Sequence, residues 1–189
     1  GFATSQDMLI CVEDALGALV WGGDSDKFEA AMDKIGTIMG FATQRPDAEW
    51  KEGPDNLWAL RGNEYLIFED KNQVSLTRAE VSKYETDQMN TSSAWFAKNY
   101  SSAKVTRVMV IPTKKLSGAA AFHPDFDAVI MRKKGLDALI KNIRAFFMEF
   151  RDIDMKSIGE KRVQESLDAH HLTIEKLVTA YTERPTTAA

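Results

Sequence analysis

Gly53-Pro54-Asp55-Asn56-Leu57-Trp58-Ala59-Leu60-Arg61-Gly62-Asn63-Glu64-Tyr65-Leu66-Ile67-Phe68-Glu69-Asp70-Lys71 is the stretch on which the fold turns. Two short apolar runs, 57–60 and 65–68, flank the turn-forming Arg61-Gly62-Asn63-Glu64, a pattern that predicts a β-hairpin. Antiparallel pairing brings the end of the second strand back beside the start of the first. Asp55 and Glu69 are therefore expected side by side, and Lys71, two residues on, shares the face of Glu69. Two carboxylates and a lysine converging at a strand end can hold a divalent cation and handle a proton.

On the amino-terminal side, Met8, Leu9, Val12, Leu16, Leu19 and Val20 recur at helical spacing and predict a helix over 5–20, its start favoured by Asp7. Trp21-Gly22-Gly23-Asp24 breaks it. A second helix is expected over 26–39, capped by Asp24 or Ser25, with Phe28, Ala31, Met32 and Ile35 on its buried side. Gly40 ends that helix, and Arg45-Pro46-Asp47 with Lys51-Glu52-Gly53 reads as a polar loop leading into the hairpin.

On the carboxyl-terminal side, a long helix is expected over 77–100. The apolar run 106–113, closed by Pro112-Thr113, suits a buried central strand, and 128–131 a short one. A helix follows Gly135 to about residue 150, with Leu136, Leu139, Ile140, Ile143, Phe146 and Phe147 as its core stripe. A last amphipathic helix is expected over 161–181, before a disordered-looking tail. A helix between the hairpin and the central strand is a crossover, so the sheet should be mixed, with helices on both sides: an α/β fold.

At 189 residues the chain is long enough to bury a substantial core. The run 8–21 is too short to span a bilayer and carries Glu13-Asp14, and no signal peptide is evident, so no membrane association and a cytoplasmic setting are expected. The single cysteine, Cys11, excludes an internal disulfide and a cysteine-built zinc site. Without an initiator methionine the chain reads as a piece of something larger. A net charge of −4 does not announce a nucleic-acid binder. Between residues 98 and 144, however, basic residues (Lys98, Lys104, Arg107, Lys114, Lys115, Arg132, Lys133, Lys134, Lys141, Arg144) outnumber Asp125, Asp127 and Asp137. That segment suits either a phosphodiester-binding surface or a solvated polar face.

Pro54-Asp55, a gap, then Glu69-Asp70-Lys71, preceded by a helix, resembles the signature of the PD-(D/E)xK nuclease superfamily, the restriction-endonuclease-like fold. The resemblance covers about 24–150 as the nuclease-like core, leaving 1–23 as an N-terminal helical extension and 151–189 as a C-terminal helical extension and tail. With Ser82-Lys83 and Gln88 it looks like nuclease domains attached to bacterial helicase-like proteins, and so implies a helicase or ATPase domain in the same protein. It implies Mg²⁺, with Mn²⁺ as a substitute, bound by Asp55, Glu69 and the backbone carbonyl of Asp70. Lys71 would position or deprotonate the attacking water. The side chain of Asp70, a departure from the usual apolar middle residue, is expected on the face opposite Glu69 and not on the metal.

Three further positions follow from the same likeness. Glu29, in the helix before the hairpin, matches a glutamate that supplements the metal site, or is a solvent-facing helix residue. Lys83 and Gln88 match positions that meet the site or the substrate backbone, or form an exposed face with a Lys83–Asp87 pair. Trp95, Phe96 and Tyr100 read as core, with one able to stack on a base. His123 and the pair His170-His171 make no metal site, since adjacent helix positions face apart.

The activity implied is Mg²⁺-dependent hydrolysis of DNA by a deoxyribonuclease, in which a homodimer could cut both strands. The alternatives are RNA as substrate, or a catalytically inactive module of the same fold that binds nucleic acid or a partner protein.

Overall fold

The hairpin forms, and the remaining elements are assembled on it. The structure, a computed structural model, describes residues 4–154 and 157–187. Strand β2 (Asn56–Ala59) and strand β3 (Glu64–Asp70) pair antiparallel, with Asn56 opposite Phe68 and Ala59 opposite Tyr65. A single 3₁₀ turn over Arg61–Asn63 joins them, and Gly62 takes φ +70°, a conformation glycine reaches without steric cost.

Before the hairpin lie α1 (Ser5–Ala18), α2 (Ser25–Ile38), β1 (Ala42–Gln44) and α3 (Pro46–Trp50). After it come α4 (Lys83–Asn99), β4 (Lys104–Val110), β5 (Ala128–Met131), α5 (Lys133–Glu149), α6 (Glu160–Ala169) and α7 (Ile174–Thr179). The sheet runs β1-β2-β3-β4-β5. In its first three strands each neighbouring pair is antiparallel, and β3, β4 and β5 are parallel. It is thus the mixed, helix-flanked α/β sheet expected from the crossover.

Alternation along the strands assigns the two faces. Leu66 and Phe68 of β3 join Val108, Val110, Val129 and Met131 in a core shared with α1, α2 and α5. Ile67, Met109 and Ile130 face the other way, against Met89 and Phe96 of α4. Helix α1 places Met8, Val12, Ala15 and Leu16 in the first core, and Leu172, Leu177 and Tyr181 close it from the carboxyl-terminal side. The segments expected as extensions are therefore walls of the main core. No helix among the described residues is long and apolar enough to cross a membrane.

Several expected boundaries move, each for a local reason. The polar loop before the hairpin contains β1 and the short α3, which starts on Pro46 as first-turn proline allows. Helix α4 begins at Lys83, not at 77, because Ser82 and Glu85 form a reciprocal capping box. Thr4 and Asp7 do the same for α1. The last expected helix is two, interrupted at His171, whose φ of +57° leaves the helical region. The tail pairs with the sheet: Glu183 exchanges backbone bonds with Ile130, and Thr186 with Lys114 and Leu116. Residues 188 and 189, the end of the expected disordered tail, lie outside the described residues.

Candidate active site

The turn entering β2 sets the first carboxylate. Gly53 adopts φ +92°, and a Cβ there would lie 2.8 Å from the Trp95 ring, so the bend packed on α4 requires glycine. Pro54 and Asp55 follow. One residue beyond the β2–β3 ladder, Asp55 Oδ2 accepts the backbone N–H of Asp70 at 2.7 Å, which fixes the carboxylate against the end of β3.

Glu69, Asp70 and Lys71 leave that strand end together. Glu69 points toward α4, where Ser92 Oγ donates to its Oε1 at 2.6 Å. Lys71 Nζ donates to Glu69 Oε2 at 2.8 Å and stands 3.5 Å from Asp55 Oδ2. The ammonium therefore lies between the two carboxylates, and all three side chains are largely buried. Burial, then the nearby Asp55 charge, raise the proton affinity of Glu69. Burial opposes the charge of Lys71, but Glu69 and Asp55 outweigh it and hold the amine above its ordinary value. Lys71 is thus a persistent cation and a donor, not a free base.

Asp70 is buried, and neither of its enclosed carboxylate oxygens has a hydrogen-bond partner. Burial first, then the charges of Asp55 and Glu29, push its carboxyl well above the usual carboxylate range. Its side chain lies on the α2 side of the sheet, away from Glu69, as the strand alternation requires. The sequence reading gave Asp70 a main-chain role only and did not foresee an unpartnered buried carboxyl.

Comparisons with protein-family models, curated proteins and solved structures returned no match. The site is accordingly read from its own geometry.

Glu29 lies on α2, turned inward and not out in solvent, near enough to Asp55 to feel its charge. It is half-buried, and Arg45 Nη2 donates to its Oε2 at 2.8 Å and to Asp26 Oδ1 at 2.7 Å. Burial raises its proton affinity. Asn56 Nδ2 donates to the Glu29 carbonyl at 2.9 Å, tying α2 to the first strand of the hairpin. Lys83 does not reach the site: it is exposed and paired with Asp87 one helical turn on, at 2.5 Å. Gln88 shares with Asp70, Lys71, Arg78 and Tyr84 the wall of a polar cavity of about 360 Å³, which Asp55 and Glu69 do not line.

Trp95 stacks on Trp50, and Phe96 and Tyr100 pack on Tyr65, so these three aromatics are engaged in packing. Tyr84, not singled out in the sequence, is the aromatic at the cavity, 71% exposed. Arg107, counted above with the basic surface, is buried: it donates to Ser93 Oγ at 2.9 Å and its guanidinium covers the Phe126 ring.

Among the described residues, no three His, Cys, Asp or Glu side chains gather closely enough to hold a metal ion by themselves. What the site offers is two converging carboxylates. That donor set fits Mg²⁺, a hard cation that takes oxygen ligands and keeps several of its waters.

Proposed function

We propose that this chain is a Mg²⁺-dependent nuclease of the restriction-endonuclease-like class, hydrolysing phosphodiester bonds in DNA at Asp55, Glu69 and Lys71. The observation that carries the reading is the Lys71 ammonium set 2.8 Å from Glu69 and 3.5 Å from Asp55 at the end of one strand. It is supported by the open polar cavity that reaches Lys71 from solvent.

In this reading Asp55 and Glu69 are the metal-binding carboxylates. When bound, Mg²⁺ would neutralise charge on the phosphate and acidify a coordinated water. The protein's own part is positioning. The Asp70 N–H holds the orientation of Asp55, and Ser92 holds that of Glu69, so neither carboxylate must reorganise when substrate arrives. Lys71 donates to the attacking water or to a non-bridging phosphate oxygen, where a fixed positive charge stabilises the charge that develops during reaction. Gln88 lines the cavity wall, and in this reading it meets the substrate backbone.

Cleavage of supercoiled, linear and single-stranded DNA with Mg²⁺, Mn²⁺ or EDTA tests the reading. Wild type should cut in either metal and not in EDTA, and Asp55→Ala and Lys71→Ala should each lower the rate by at least about 100-fold. No cleavage of any substrate, together with no Mn²⁺ binding by calorimetry, would instead assign the chain to a non-catalytic binding module.

A further inference from the structure

The basic residues scattered between 98 and 144 in sequence are not one surface in the fold. Lys104 starts β4 at the edge of the sheet remote from Lys71, Arg107 is buried, and Arg144 pairs with Glu13 on α1. The three that converge are Lys114, Arg132 and Lys134. All three reach one carboxylate, Glu183: Arg132 Nε at 2.6 Å, Lys114 Nζ at 3.0 Å and Lys134 Nζ at 3.3 Å. Arg132 first, then the two lysines, hold Glu183 down at about 2.

The cluster lies on the same sheet edge as the candidate active site. Strands β3, β4 and β5 are parallel, so their carboxyl ends lie in a row. Lys71 N–H donates to the Val110 carbonyl, and Ile111 N–H to that of Met131, the residue before Arg132. Two strand spacings put the end of β5 about 10 Å from the end of β3. That matches the axial rise of about three base pairs of a duplex, at 3.4 Å of helix axis per phosphate of one strand.

Two features show that the cluster is not designed for stability alone. Arg132, Lys133 and Lys134 open α5, a helix with no acidic residue in its first turn and no side-chain cap. The amino-terminal end of a helix dipole disfavours cations and favours anions, so these three residues oppose the local preference. One carboxylate against three cations also leaves two positive charges in excess, and Lys134 remains 67% exposed. Glu183 is held there by the backbone bonds between its own residue and Ile130, which makes the tail the scaffold of the cluster.

We propose that Lys114, Arg132 and Lys134 bind backbone phosphates of the nucleic-acid substrate, leading its strand along the carboxyl edge of β4 and β5 into the site at Lys71. The nature of the ligand rests on the nuclease reading; the anion site rests on the cluster itself.

The test is equilibrium binding of a fluorescent single-stranded oligonucleotide to the full chain in EDTA, by anisotropy, across a salt series. Lys134→Glu should weaken binding about fivefold or more at low salt. Lys114→Ala/Lys134→Ala should flatten the slope of log K against log salt by about 1.4, two contacts at about 0.7 each for a single strand. Lys161→Glu, a 90% exposed lysine on α6, is the control. Unchanged affinity and slope in the cluster variants, or an equal loss in the control, would overturn the proposal. Because no cleavage is required, failure of the nuclease assay and failure of this one are separate results.

Discussion

Asp70 carries an electrostatic cost that its neighbours do not relieve. Its carboxyl is enclosed, lacks a hydrogen-bond partner and stands near Asp55 and Glu29. The folded state therefore binds this proton more tightly than the unfolded chain does. The contribution of the group to stability is complete below about pH 4, its unfolded value, and is lost as pH rises toward the raised folded value. Metal-free protein should become less heat-stable as pH rises above about 4, and Asp70→Asn should make that decline shallower. On the high-pH side of that decline the substitution should raise Tm by about 2–4 °C for each kcal/mol relieved in a chain of this size, measurable by thermal denaturation in EDTA. Asp55, Glu69 and Lys71 were legible in the sequence because a hairpin brings them together locally. Ser92, Arg45 and the enclosure of Asp70 were not, because each depends on a helix packing across the sheet from a distant part of the chain.

At the scale of elements, the hairpin, the crossover and the central strand followed from apolar runs and turn residues. The failures were at boundaries. A three-residue β1 is too short for alternation to show, and the capping pairs Thr4–Asp7 and Ser82–Glu85 were overlooked although they are plain in the sequence. The break at His171 carries no glycine or proline to announce it. One close contact has a direct consequence. A Cβ on Gly135 would lie 2.1 Å from the Tyr181 carbonyl oxygen, backbone that cannot swing aside. Gly135→Ala should therefore loosen the chain from residue 181 onward from the first turn of α5, at a cost of about 1–3 kcal/mol. The expected readouts are a lower Tm and faster amide exchange in residues 181–186.

Across the whole molecule, the chain folds as two cores on one sheet, and both of its ends contribute. The amino-terminal helix cannot be an appendage when Val12 and Leu16 are as buried as Phe68. A division at residue 24, drawn from the reach of a motif, follows a family pattern and not the packing. The candidate site sits at the carboxyl end of β3, where the antiparallel half of the sheet meets the parallel half. There a returning hairpin and a crossover helix bring their carboxylates and hydroxyl to the same strand end.

The docked tail also guards the molecule against itself. Strand β5 ends the sheet with Ala-Val-Ile-Met, all four buried, and Ile130 gives both its N–H and its carbonyl to Glu183. Strip residues 183–189 away and that apolar border is bare, its donors and acceptors free to take up a strand from another copy. The opposite border, β1, is only three residues long and offers little to pair with. A chain ending at Thr182 should therefore self-associate at concentrations where the full chain stays monodisperse, and light scattering of the two side by side would show it.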